Sequence, residues 1–257
     1  MWIPVRANKT LQNKTQNFDL IIFDCDGVLV DSELVSCRAH AQTLTRHGCA
    51  ITEQQVLERF LGISDREARA MIETEIGREL PRDFEAQVKQ AILQAYAGDL
   101  RAISFVGEAT AAIDLAKCVA SSGTPEKIRN GLTCAGLRDV LAPHLFSATQ
   151  VERGKPAPDL FLFAAEQMGV PPARCVVIED SVPGITGALA AGMSVLGFHG
   201  GSHCQPGHAE KLRAAGAQMT FDDMRRLPAL IAAEAVASAW LRGFSVKAGQ
   251  IVPRCDQ

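Results

Sequence analysis

The stretch Leu20-Ile21-Ile22-Phe23-Asp24-Cys25-Asp26-Gly27 decides how this chain is read, because a short apolar run ends abruptly in two carboxylates two residues apart. A continuously apolar, partly β-branched run of this length predicts a strand buried on both faces of a parallel sheet. Asp24 and Asp26 then fall at its carboxyl end, where open α/β sheets collect ligands. Side chains alternate along a strand, so carboxylates at i and i+2 are expected to share a face, and Gly27 lets the backbone turn sharply behind them. Two carboxylates held together repel unless a cation or a shared proton intervenes, so the pair predicts a metal. Taken alone, Asp26-Gly27 is also an ordinary turn signal after a strand.

The rest of the chain supplies the context. Its 257 residues are long enough to bury a sizeable core, and the composition is that of a globular protein, with 47% hydrophobic and 21% charged residues. A net charge of −3 leaves no electrostatic footprint for nucleic acid or an anionic membrane. The eight cysteines, Cys25, Cys37, Cys49, Cys118, Cys134, Cys175, Cys204 and Cys255, include no CxxC pair. They read as reduced thiols of a cytosolic protein and not as a disulfide frame or zinc site. No apolar run approaches the roughly 18 residues of a membrane span. Residues 1–17 are polar and basic without an apolar segment, so they are expected to be a disordered extension, or the product of an upstream start codon, and not a secretory signal.

From Ser32 to about Gly98 strand-like runs are missing. Apolar residues recur instead at helical spacing, as in Val56, Leu57, Phe60 and Leu61, then Val88, Ile92, Leu93 and Tyr96. This predicts about four helices, broken at Gly48, Gly62, Gly77 and Pro81. Strand-like runs resume at 116–120, 145–148, 175–178, 194–198 and 217–220, with helical stretches at 125–135, 159–168 and 184–191 between them. Such alternation predicts an α/β fold: a doubly wound parallel sheet with helices on both faces and an inserted helical cap. The expected partition is a core of 18–33 and 101–243, a cap of 34–100, a C-terminal helix or helix pair from Asp222 to Trp240, and a polar tail from 244.

Three further polar groups stand at the ends of the later strands. Ser121 and Ser122 precede Gly123 and a helix start at Thr124-Pro125-Glu126. Hydroxyls and free N–H groups at a helix N-terminus make an anion site, though Ser122 or Thr124 would serve equally as a cap. Lys155, in Gly154-Lys155-Pro156-Ala157-Pro158-Asp159, is placed to neutralise a phosphate or Asp24, or to stand in solvent. Glu179-Asp180 ends Cys175-Val176-Val177-Ile178; two adjacent acids there suit Mg²⁺, with Asp180 or Ser181 as a helix cap the competing reading. Together the four elements put a nucleophile, a phosphate clamp and a cation site on one sheet edge.

With those residues in hand, the chain resembles the haloacid dehalogenase superfamily, in its sugar-phosphatase and β-phosphoglucomutase-like branch, from about Asp19 to Leu230. Within that branch Val177-Ile178-Glu179-Asp180-Ser181-Val182-Pro183-Gly184 and the Gly154 to Asp159 loop match closely. The type most resembled is 6-phosphogluconate phosphatase, through Phe23 to Gly27, the Asp114 to Val119 approach and Ser122-Gly123. The resemblance implies Asp24 as nucleophile and Asp26 as general acid and base. It implies Ser121, with Ser122 beside it, and Lys155 as phosphate ligands. A Mg²⁺ cofactor would be held by Asp24, the Asp26 backbone carbonyl and Asp180, with Glu179 assisting. The implied substrate is a small phosphorylated metabolite, a sugar, polyol or sugar-acid phosphate, handled by a monomer or small homo-oligomer in the cytoplasm.

A dehalogenase has no alkoxide to protonate, so Asp26 argues against it, and a phosphonatase would lack Asp26 and carry a cap lysine. A hexose-phosphate mutase shares every core residue. Members of that type resemble one another in a histidine and a cap arginine at positions held here by Ser36 and Asp65, with Arg66 one residue off. A response-regulator receiver would be a much shorter chain without a helical insertion. Specificity is expected from the loop Leu61-Gly62-Ile63-Ser64-Asp65-Arg66, with Arg66 or Arg69 for a second anionic group, unless both are solvated helix-face arginines. The linkers 32–34 and 100–107 are expected hinges. His199, His203, Cys204 and His208 lie in a Gly-rich loop that reads either as a flank of the active edge or as a soft-metal site.

Overall fold

The computed structural model describes residues 18–60, 65–232, 244–247 and 250–253. The expected extension 1–17, most of the loop 61–66 and the segment 233–243 therefore fall outside the described residues.

The central sheet is built from β1 (Leu20–Phe23), β2 (Ala116–Ser121), β3 (Leu145–Ser147), β4 (Cys175–Glu179), β5 (Ser194–Phe198) and β6 (Met219–Phe221), in the order β3-β2-β1-β4-β5-β6. All neighbours are parallel, with Phe23 opposite Val119 on one side and Ile178 on the other. Between β1 and β2 the chain inserts α1 (Glu33–Arg46), α2 (Glu53–Phe60), α3 (Asp65–Ile76) and α4 (Phe84–Asp99), then α5 (Val106–Ala111). The remaining helices are α6 (Pro125–Cys134), α7 (Arg138–Leu141), α8 (Asp159–Gln167), α9 (Val182–Ala190) and α10 (His208–Ala214). The doubly wound sheet with an inserted four-helix cap is thus what the alternation predicted.

Strand alternation divides the core. Ile21, Phe23, Val176, Ile178, Leu196 and Phe198 pack on one face with Ile128, Leu132 and Tyr96. Leu20, Ile22, Cys175, Val177 and Val195 pack on the other with Leu160, Phe161 and Ile185. The cap has its own cluster, in which Leu44, Val56, Leu57, Phe60, Ile72 and Phe84 meet. Continuous apolarity in β1 and β4 follows from burial on both faces.

Two expectations shift. The last strand begins two residues later than its apolar run, at Met219, and a 3₁₀ turn, Met224–Arg226, precedes a helical segment over 227–232. The polar tail contains an antiparallel hairpin of β7 (Phe244–Lys247) and β8 (Gln250–Pro253). No helix among the described residues is long and apolar enough to cross a membrane.

Ile22 is fully buried in the central strand. Ile22→Ala is expected to cost about 2–5 kcal/mol, read as a lowered urea midpoint with an unchanged slope; a loss below about 1 kcal/mol would mean that β1 is not the packed centre of the sheet.

Candidate active site

The strand order places the site. β1 lies between β2 and β4, and successive connections leave it in opposite directions, which opens a crevice at the carboxyl ends of these three strands. Asp24 follows β1 directly and is anchored by its N–H donating to the Ile178 carbonyl at 3.0 Å. Glu179 ends β4, with Asp180 next to it, and Ser121 ends β2.

Lys155 is the hub. Its ammonium donates to Asp24 Oδ1 and to Glu179 Oε1, each at 2.6 Å, with its side chain only 5% exposed. The second Glu179 oxygen accepts from the Ser181 N–H at 3.0 Å and hydroxyl at 2.9 Å. Ser181 in turn caps α9 by accepting the Gly184 N–H at 3.1 Å. Capping therefore falls to Ser181, and Asp180 turns to the crevice, where its Oδ2 stands 3.0 Å from His203 Nε2. Thr124 caps α6 by accepting the Lys127 N–H at 3.3 Å, which releases Ser122 to line the cleft. Buried Ser121 accepts the Gly123 N–H at 3.0 Å.

Asp24, Glu179 and Asp180 are buried, and one oxygen of each lies within 4.8 Å of the others. Burial, assisted by Glu179 and Asp180, pushes the Asp24 carboxyl well above its ordinary range despite Lys155. Burial opposes the Lys155 ammonium, but Asp24 and Glu179 outweigh it and raise its pKa. Hard oxygen donors in a buried, mutually repelling set are what Mg²⁺ requires, so the donor chemistry fits that ion.

Asp26 has a different set of partners. Ser32 donates to its Oδ1 at 2.5 Å, Tyr96 to the same oxygen at 3.4 Å, and Lys127 to Oδ2 at 3.0 Å. Burial works against ionisation, but Lys127 and Ser32 prevail and hold Asp26 below its ordinary range. The two aspartates are therefore not a joint carboxylate pair, as shared strand alternation had predicted. The strand ends at Phe23 and the chain turns through Gly27, at φ +78°, where any side chain would collide with Asp180.

Lys127, Tyr96 and Ser32 surround Asp26 without having been singled out as site residues, whereas His203, read from the sequence as part of a loop flanking the active edge or of a soft-metal site, stands against Asp180. Lys127 had left a trace: a lysine in the first turn of α6 opposes the helix dipole, which asks for a local anion, and Asp26 is that anion. Tyr96, the chain's single tyrosine, looked like one more apolar position of a cap helix. Nearby Glu33 is pushed up to about 7 by burial and by Asp26.

Between cap and core lies a cavity of about 490 Å³, lined by Ile72, Phe84, Val88 and Ile92 from the cap and by Ser122, Thr124 and Lys127 from the core. Lys89 ties its two walls by an ion pair with Glu126 at 2.8 Å. Arg69 also lines it, but its guanidinium is engaged inside the cap by Glu73, Glu85 and the Leu80 and Pro81 carbonyls. The Arg66 side chain lies outside the described residues.

The sequence profile of the haloacid dehalogenase-like hydrolases matches residues 18–192. The 6-phosphogluconate phosphatase of Escherichia coli is 30% identical over 213 residues, 82% of this chain and 94% of that protein. Hexitol phosphatase A of Escherichia coli is 34% identical over 68% of this chain and 80% of its own. Among solved structures, a conserved haloacid dehalogenase-like protein of unknown function from Agrobacterium tumefaciens has 41% identity and a TM-score of 0.76, covering 85% of this chain and 99% of that one. A family hydrolase from Deinococcus radiodurans, with bound phosphate and sodium, has 32% identity and a TM-score of 0.72, covering 86% and 97%.

His203 carries a pH signature. Burial disfavours its imidazolium, but Asp180 and Cys204 raise it from 6.5 to about 11. A group whose folded pKa is raised stabilises the fold fully below its unfolded value and loses that contribution as pH climbs through the folded one. In metal-free protein the imidazole is expected to remain protonated at pH values well above 6.5 by ¹⁵N NMR, and stability should fall toward pH 11 less steeply in His203→Gln. Titration near 6.5 would remove the ion pair.

Proposed function

The chain belongs to the haloacid dehalogenase-like hydrolases and is a phosphatase of that family, and from this premise we propose that it hydrolyses a small sugar, polyol or sugar-acid phosphate through an aspartyl phosphate on Asp24. The observation that carries the reading is the separation of the two aspartates: Asp24 bonded to Lys155 among carboxylates, Asp26 held by Lys127 and Ser32. Groups two residues apart in unlike environments are suited to unlike roles.

In the first step an Asp24 oxygen attacks phosphorus in line, the bond to the sugar oxygen breaks, and Asp26 delivers a proton to the departing alkoxide. Lys155 and Ser121, with Ser122 at the cleft, bind the phosphoryl oxygens. In the second step Asp26 takes a proton from water, water attacks phosphorus, and inorganic phosphate leaves with Asp24 restored. Asp24, the Asp26 backbone carbonyl, Asp180 and Glu179, the last directly or through water, would hold Mg²⁺. The ion would supply positive charge that ionises Asp24 and offsets charge on the phosphoryl group. The raised pKa of Asp24 without it supports that requirement. A phosphate dianion beside Asp26 opposes Lys127 and favours the protonated acid.

The cap cavity would take the organic part of the substrate, and Arg66 remains the arginine for a second anionic group, since Arg69 braces the wall. The proposed partition is a cap of 34–100 on a core of 18–33 and 101–243, with hinges at 32–34 and 100–107.

A panel of sugar, polyol and sugar-acid phosphates is expected to release inorganic phosphate only with Mg²⁺, with loss on chelation. Asp26→Asn should lower the rate by about 10²–10⁴-fold, and Asp24→Asn should abolish it. Release that survives in Asp24→Asn would sink the covalent route; conversion of β-glucose 1-phosphate with a bisphosphate primer, without release, would identify a mutase.

A further inference from the structure

The loop after β5 and the first residue of α10 bring a thiol and two imidazoles together beside Asp180, and the phosphatase reading uses none of the three. Donor atoms of His203, Cys204 and His208 lie within 4.8 Å of one another. His203 Nε2 stands 3.5 Å from Cys204 Sγ and 3.0 Å from Asp180 Oδ2. A tetrahedral zinc ion with Zn–S near 2.3 Å and Zn–N of about 2.0–2.1 Å separates its sulfur and nitrogen ligands by about 3.5 Å. The second imidazole is turned as metal-bound histidines are. His208 Nε2 donates to the Asp180 carbonyl oxygen at 2.6 Å, which leaves the lone pair on Nδ1.

The slot is shaped for the first imidazole. His203 is 5% exposed, and its ring occupies the space that a side chain at either Gly27 or Gly201 would need. Its Nδ1 has no hydrogen-bond partner, so its polar contacts converge on Nε2, toward Asp180 and Cys204.

We propose that His203, Cys204 and His208, with Asp180 as fourth ligand, form a binding site for a thiophilic divalent cation such as Zn²⁺. One sulfur, two nitrogens and one carboxylate oxygen suit zinc, whereas Mg²⁺ takes oxygen alone. Binding displaces protons from the thiol and from the imidazole nitrogen that Asp180 faces, so it strengthens with pH. Asp180 belongs to both clusters, and zinc therefore draws it away from the Mg²⁺ position. This inhibitory consequence, unlike the binding itself, rests on the phosphatase reading.

The full chain, stripped with a chelator and titrated with Co²⁺ at mildly alkaline pH, is expected to develop a thiolate-to-cobalt charge-transfer band and tetrahedral ligand-field bands, both bleached by stoichiometric Zn²⁺. Cys204→Ser should remove the charge-transfer band, and His208→Gln should weaken Co²⁺ binding by at least about ten-fold. Cys134→Ser, whose thiol is exposed elsewhere, and Cys255→Ser should leave the spectrum unchanged, with circular dichroism confirming that every variant is folded. Absence of the band in the wild-type chain, or its survival in Cys204→Ser, overturns the site, and neither result bears on phosphate release. Zinc should also suppress Mg²⁺-dependent phosphate release, with Cys204→Ser requiring at least about ten-fold more zinc; equal sensitivity overturns the sharing of Asp180.

Discussion

The buried ammonium of Lys155, bonded at once to Asp24 and Glu179, is the interaction on which the active edge depends. Three carboxylates meet at the ends of β1 and β4, where burial penalises each charge and neighbours penalise one another. A cation delivered from a third element offsets that cost, and the loop after β3 supplies it. Removing one partner of such a buried pair strands the other, so the lysine and both acids stand or fall together. The sheet order makes this possible, because β4 pairs with β1 although the cap and two further strands separate them in the chain.

The same fold keeps the second aspartate apart. The chain turns at Gly27 directly after the strand, and Asp26 meets a lysine from α6, a serine just before α1 and a tyrosine from α4. Core and cap thus share one carboxylate. The cleft beside it is mainly apolar on the cap side and polar on the core side, a division that would suit the proposed split between holding the organic part of a substrate and handling its phosphate. Arg69 is engaged in the cap's own architecture, where its guanidinium braces the wall through Glu73, Glu85 and the Leu80 and Pro81 carbonyls.

The sequence by itself determined the strand ends and what they carry. Continuous apolar runs closed by Asp24, Ser121 and Glu179-Asp180 announced buried parallel strands with polar tips, and helical periodicity between Ser32 and Gly98 announced the cap, since these patterns are local and have fixed periods. Tertiary structure alone decided which polar tips meet. Capping by Thr124 and Ser181 instead of Ser122 and Asp180 turns on backbone geometry one or two residues long, below what residue type reports. Lys127 with Asp26, 101 residues apart, and His203 with Asp180 exist only because separate loops converge on one edge. Such pairings have no period in the chain, since it is the strand order that puts their partners within reach.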